Sequence, residues 1–185
     1  GERVNVSLTL HYGSEAELKG KTDAAALVPT MLTMGTAKRS RRDIQDTFDK
    51  LKANVRISEG AGGGGFGRFT RGGGSGPGTI GVSIETTRPN LSAVLDLVAE
   101  CLRDSTFPAE EFEKQRKEML AAMEQQLSEP MALAPIELRR KLTPVPPDDV
   151  RYVKTVQEQI EKIKTVKLDD VKAIHKAMVG AAFAE

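Results

Sequence analysis

The residues best suited to metal or nucleophilic chemistry are few in this chain. Histidine occurs twice, as His11 and His175, and cysteine once, as Cys101. One cysteine excludes an internal disulfide and a cysteine-based zinc knuckle, and two histidines are too few for a histidine-rich metal site. Ser75 lies in G-G-S-G-P, which approaches the G-x-S-x-G elbow of serine hydrolases but has Pro77 in place of the last glycine. These residues therefore predict neither a metal centre nor an activated nucleophile.

A glycine-rich segment suggests phosphate binding as a second possible chemistry. Gly60, Gly62 and Gly65 match G-x-G-x-x-G. That fingerprint needs a strand before it and a helix after it, whereas a strand pattern follows here. We therefore expect residues 60–78 to form a flexible hairpin loop without a nucleotide.

The same segment contains three side chains of interest among its glycines. Arg68, Phe69 and Arg71 combine positive charge with an aromatic ring. They are candidates for contact with a peptide or a protein partner, and the alternative, which is the default for a segment this rich in glycine, is a flexible hairpin tip.

The composition excludes several classes of function. The chain has 185 residues and a formal net charge of +1, which gives no general attraction to nucleic acid or to anionic lipid. No apolar run approaches the roughly 20 residues of a membrane span. The chain does not begin with methionine, so we expect it to be a piece of a longer or processed protein.

Hydrophobic periodicity predicts three strands and a larger number of helices. Residues 4–12, 55–57 and 80–84 alternate apolar and polar types, as half-buried strands do. Helices are predicted over 22–34, after a Ser40 cap, after an Asn90 cap, from Pro108, and over 136–142, 153–163 and 168–178. On these helices Leu95 and Leu127 are predicted to face inward, and His175 to be a packed histidine on an apolar helix face.

These elements predict an α+β fold with helices packed on one face of an antiparallel sheet. We expect residues 1–185 to form one domain, because no break in composition marks a second. Three strands are few for so many helices. We therefore expect the sheet to gain a strand from before Gly1 or beyond Glu185.

Residues 23–36 carry a family resemblance. They read D-A-A-A-L-V-P-T-M-L-T-M-G-T, which resembles the zinc helix of the pitrilysin/insulinase peptidases, a family that includes the mitochondrial processing peptidase. Active members have H-x-x-E-H on a helix that leads to a Gly-Thr pair. Here Gly35 and Thr36 keep that pair.

The resemblance extends over almost the whole chain. F-P-A-E-E-F-E-K-Q-R-K-E-M-L at 107–120 resembles the long helix that carries the third zinc ligand, and L-D-D-V-K-A-I-H-K from Leu168 resembles the last helix of the family. Each motif alone is weak, but their order and spacing make the combination specific. The resemblance implies a metallohydrolase-like half-domain.

The positions that carry the family's chemistry are replaced in this chain. The two zinc histidines fall on Ala26 and Thr30, the general-base glutamate on Pro29, and the third ligand on Ala122, to within one residue. A methyl group offers zinc no lone pair, and nothing at Pro29 can take a proton from water. Pro29 also lacks a backbone donor, which could kink the helix or shift its start. The resemblance therefore implies that this chain binds no cofactor and that zinc lies in an active sister domain.

The implied function is that of a catalytically inactive domain. It would form one wall of a peptide-binding chamber beside a homologous active domain, on the same polypeptide or on a separate subunit. The alternative is a purely structural subunit, like the family members that are core proteins of a respiratory complex. Exposed sheet edges also suggest self-association. The resemblance would fit a bacterial periplasm or cell envelope.

Overall fold

The computed structural model describes residues 2–59, 78–142, 144–147, 149 and 151–179. The predicted loop at 60–78 lies outside the described residues except for Gly78, and so do Arg68, Phe69 and Arg71.

The three predicted strands are confirmed and form one antiparallel sheet. They are β1 (Arg3–His11), β2 (Asn54–Glu59) and β3 (Thr79–Thr87), in the order β1–β3–β2. The pairing of β2 with β3 is the predicted hairpin. β3 is the central strand, with β1 on one side and β2 on the other. It is therefore buried along most of its length.

The register of the sheet separates an apolar face from a polar face. Leu8, Val82 and Ile57 lie side by side on the inner face. One residue along, Ser7, Ser83 and Arg56 lie side by side on the outer face, and all three are exposed. Because side chains alternate between the faces of a strand, each strand contributes to both surfaces. The helices cover the apolar face, so the predicted α+β arrangement is confirmed.

Eight α-helices surround this face within the described part of the chain. They are α1 (Glu15–Leu18), α2 (Thr22–Met31), α3 (Arg41–Lys50), α4 (Leu91–Arg103), α5 (Ala109–Leu127), α6 (Pro130–Leu142), α7 (Val156–Thr165) and α8 (Leu168–Met178). None of them is both long and apolar enough to cross a membrane.

Three helix boundaries differ from the prediction. α7 starts at Val156, three residues later than predicted, because Thr155 caps it in a capping box with Glu158. α2 ends at Met31, before residue 34, because the Met34 amide turns back to the Met31 carbonyl and Gly35 then takes a φ of +153°. α6 starts at Pro130, six residues earlier than predicted. Proline suits the first turn of a helix, where no amide hydrogen is needed.

One predicted cap is confirmed and the other is wrong. Ser40 and Asp43 form the reciprocal capping box at the start of α3. Asn90 makes no side-chain cap for α4. It has helical backbone angles, because α4 continues directly from a 3₁₀ turn at Arg88–Asn90. Its amide nitrogen instead donates to the Leu51 carbonyl at 2.8 Å.

Two leucines predicted to face inward are exposed. On α4 the buried stripe runs through Val94, Leu97, Val98 and Cys101, and Leu95 lies about 100° away from Val94 around the helix and is 41% exposed. Leu127 is exposed because α5 has reached its last residue there, beyond the core.

Candidate functional site

The candidate site centres on α2, which is one of the most buried helices. Ala25 and Val28 are fully buried and pack in the core, while Ala26 and Thr30 are half-buried on the opposite side. Spaced i and i+4, Ala26 and Thr30 share one face of the helix. Two zinc histidines in H-x-x-E-H also need one face of a helix, but these two positions carry a methyl group and a hydroxyl.

Pro29 is buried inside α2, and the helix continues beyond it to Met31. The start of the helix, at Thr22, is not shifted. A proline cannot donate to the carbonyl four residues earlier, which is that of Ala25. In this structure the Tyr12 hydroxyl donates to the Ala25 carbonyl at 3.0 Å. A side chain from the end of β1 thereby replaces the missing helical hydrogen bond.

The environment of Tyr12 keeps its hydroxyl protonated and available as a donor. Tyr12 is 2% exposed. Burial raises the pKa of the phenol well above its usual value, and the nearby Glu59 carboxylate raises it further. A neutral donor is what a buried carbonyl needs.

Thr30 already uses its hydroxyl proton within the helix. Its Oγ1 donates to the Leu27 carbonyl at 2.8 Å. This local bond is common for threonine in helices and satisfies both groups. A neutral hydroxyl in this arrangement is a poor metal ligand.

Ala122, the position assigned to a third ligand, is exposed on α5. The core-facing side of α5 near this point is formed by Met119, Leu120 and Met123. Neither Ala122 nor the residues on either side of it, Ala121 and Met123, carry a carboxylate. Over the ranges that the structure describes, no three His, Cys, Asp or Glu side chains are grouped so that they could hold a metal ion.

The Gly-Thr pair after α2 is held by a polar network that the sequence analysis missed. Thr36 Oγ1 donates to Glu100 Oε1 at 2.6 Å and accepts from the Arg39 amide at 3.0 Å. The Arg39 guanidinium pairs with the other oxygen of Glu100. These contacts, above all the Thr36 hydrogen bond, lower the pKa of Glu100. The one available signal was a glutamate among the apolar residues of α4.

The histidines and the cysteine do not meet at α2. His175 Nε2 lies 2.7 Å from the Leu102 carbonyl and therefore donates to it, and its ring packs edge-on against Phe107 at 4.8 Å. This agrees with the predicted packed histidine, although the ring is half-buried. Cys101 is fully buried, and burial raises the pKa of its thiol to about 11. His11 is exposed at the end of β1.

Two clefts lie near the ends of α2. One of about 410 Å³ is bordered by Lys21, Asp23, Lys162 and Asp170, where α2 begins between α7 and α8. The other, of about 570 Å³, surrounds the loop 34–42. Neither is lined by Ala26, Pro29, Thr30 or Ala122, the positions to which the resemblance assigns the zinc chemistry.

No family model and no curated protein matches this chain. Solved structures do match it. A peptidase M16 inactive domain from Pseudomonas fluorescens superposes with a TM-score of 0.71 at 21% identity over 98% of this chain. A protease from Helicobacter pylori gives 0.73 at 16% identity over 98%. The inactive peptidase domain of a proposed zinc protease from Bordetella parapertussis gives 0.67 at 17% identity over 100%.

These matches establish the fold of the chain as that of an M16 inactive peptidase domain. The expected half-domain architecture is therefore confirmed. The chain spans 40% of the length of the Pseudomonas and Helicobacter proteins and 91% of the Bordetella domain.

Proposed function

We propose that this chain is the non-catalytic half of a zinc peptidase of the M16, or pitrilysin/insulinase, type. It forms one wall of a peptide-binding chamber beside an active sister domain, which holds the zinc and cuts the peptide. The observation that carries this proposal is the content of α2. On the fold of an inactive peptidase domain, this helix carries Ala26, Pro29 and Thr30 where the resemblance places two zinc ligands and the general base.

The side chains on α2 support the proposal that this chain carries out no zinc chemistry. Zinc needs lone pairs from imidazole, carboxylate or thiolate at about 2.0–2.3 Å. Ala26 has none, and the Thr30 hydroxyl donates to the Leu27 carbonyl. Pro29 is buried and has no group that accepts a proton from water. The Tyr12 hydrogen bond to the Ala25 carbonyl stabilises α2 with Pro29 in its interior.

The outer face of the sheet supports a role in peptide binding. Ser7, Ser83 and Arg56 line this face in one row and leave it polar and exposed. Within the described residues, the nine-residue strand β1 is paired on one side only. An extended peptide can be bound along such an edge through main-chain hydrogen bonds.

The test compares the active sister domain alone with the sister domain joined to this chain. On a peptide long enough to contact both, we expect kcat/KM to rise roughly tenfold, mainly through a lower KM, because the added contacts improve substrate capture. A short peptide that reaches only the sister domain is the matched control and should show no gain.

A different result identifies the structural alternative. If the two domains form a stable complex but kcat/KM is the same for both peptides, this chain is an assembly subunit and the chamber proposal fails. From the resemblance alone we also propose a bacterial periplasm or cell envelope as its compartment, which cell fractionation with an antibody to this chain would test.

A further inference from the structure

The α5–α6 hairpin carries most of the exposed large hydrophobic side chains of the described residues. The described ranges contain five exposed large hydrophobic side chains, and four of these lie between residues 127 and 142. They are Leu127, Met131, Leu138 and Leu142. The fifth, Leu95, lies by itself on α4. A single exposed leucine needs no explanation, whereas four large hydrophobic side chains on one hairpin make it the candidate for a surface that a partner covers.

α6 has two different sides. One side packs against the rest of the domain, where Arg140 lies over the Tyr152 ring at 5.7 Å and donates to its hydroxyl at 3.2 Å. The other side presents Met131, Leu138 and Leu142, which are 82%, 57% and 71% exposed. Spacings of seven and four residues place these three on one stripe of the helix. We call them the α6 stripe.

Basic side chains border the α6 stripe. Lys141 is exposed next to Leu142, and Arg139, which already has an interaction within the chain, is exposed next to Leu138. The nearby Glu137 is paired with Arg140 at 3.5 Å, so its charge is largely compensated within the chain. An apolar stripe with a positive border fits a surface that is apolar in the middle and acidic at its edges.

We propose that the α6 stripe docks on an apolar face of the active sister domain that is bordered by acidic side chains. This inference rests on the proposed function and adds to it the surface through which the two halves meet. The fold match leaves room for a neighbouring domain, because this chain covers only 40% of the Helicobacter protease that shares its fold.

The size of the stripe favours a sister domain over a second copy of this chain. A 13-residue helix is about 20 Å long, so a stripe about 10 Å wide covers roughly 200 Å². Separate proteins usually need about 800 Å² per partner to form a stable complex. A domain that is linked in the same polypeptide or held in the same assembly has a high effective concentration and needs less.

Cysteine labelling tests the proposal directly. The chain has one natural cysteine, Cys101, which is buried and gives a low background. We would label Leu138→Cys with a maleimide in the chain alone and in the protein that contains the sister domain. Leu95→Cys is the matched control, since Leu95 is an exposed leucine away from the hairpin. Unchanged circular dichroism would first show that both variants fold.

We expect labelling at residue 138 to be at least about tenfold slower in the two-domain protein, with the rate at residue 95 changing less than about twofold. The proposal would be overturned if residue 138 were labelled equally fast in the chain alone and in the two-domain protein. It would also be overturned if residues 95 and 138 were protected to the same extent in the two-domain protein. Slow labelling at residue 138 in the chain alone, at rates that depend on its concentration, would overturn it in favour of a second copy.

Substitution of the stripe gives a second readout. Leu138→Asp with Leu142→Asp should weaken association with the sister domain by about tenfold or more, and Leu95→Asp should not. Failure of the proposed function is distinguishable: the parent protein or complex would then contain no active peptidase domain. If that domain is present and the α6 stripe stays accessible, only the present inference fails.

Discussion

Removing the Tyr12 hydroxyl tests how α2 accommodates a proline in its interior. Tyr12→Phe keeps the ring and its packing, so it creates almost no cavity. It leaves the Ala25 carbonyl without its 3.0 Å partner, in a place where Tyr12 is 2% exposed and Ala25 fully buried. A buried carbonyl without a partner costs about 1–3 kcal/mol. For a chain of this size, a loss of about 2 kcal/mol lowers Tm by about 4–8 °C.

The cause is isolated by restoring the missing amide. Pro29→Ala returns an N–H that can donate to the Ala25 carbonyl, as in an ordinary helix. In that background we expect Tyr12→Phe to cost less than about 1 kcal/mol, because the carbonyl keeps one donor. The two substitutions should therefore show a coupling of about 1 kcal/mol or more.

Urea unfolding followed by circular dichroism, on all four chains of this cycle, measures the coupling. Tyr152→Phe is the control, because the Tyr152 hydroxyl donates to Glu158 at 3.1 Å and accepts from Arg140 at 3.2 Å, and neither of these residues is on α2. Tyr152→Phe should lower the free energy of unfolding by the same amount whether residue 29 is proline or alanine. Equal costs of Tyr12→Phe in the two backgrounds would refute the explanation given for α2.

Two further predictions concern stability. Gly78→Ala should lower the free energy of unfolding by at least about 2 kcal/mol more than Gly20→Ala does. Both glycines have positive φ, but only at Gly78 would a Cβ lie 2.6 Å from the Tyr12 carbonyl oxygen. Thermal unfolding of both variants tests this. In Glu100→Gln, the free energy of unfolding should fall less steeply as the pH is lowered into the acidic range. A lowered pKa means that the Glu100 carboxylate stabilises the folded state at neutral pH and loses this effect as pH falls through its folded pKa. Urea unfolding at several acidic pH values measures how the free energy of unfolding depends on pH. If Glu100→Gln leaves the slope of that dependence unchanged, the contact with Thr36 contributes little.

Features set by neighbouring residues could be predicted from the sequence. Alternation along Val4–Leu10 identifies β1 because the pleat repeats every two residues, and the Ser40 capping box joins groups three residues apart. α6 was predicted too short because its first turn, from Pro130, has few polar residues to mark a start.

Features that depend on contacts between distant residues could not be predicted. Tyr12 reads as one more alternating residue of a strand, and only the fold brings its hydroxyl to the carbonyl left free by Pro29. Glu100 and Thr36 lie 64 residues apart, and no local pattern pairs them. The assignment of Ala26, Pro29, Thr30 and Ala122 to family positions came from resemblance, and it stays a prediction.

The zinc content of the purified chain tests the central claim most directly. After exposure to zinc and dialysis, we expect far less than one zinc ion per chain by elemental analysis. Ala26→His/Pro29→Glu/Thr30→His with Ala122→Glu, which rebuilds the family's ligand set, is the matched positive control and should retain more metal. About one tightly held zinc ion per natural chain, lost on Thr30→Ala, would contradict the account.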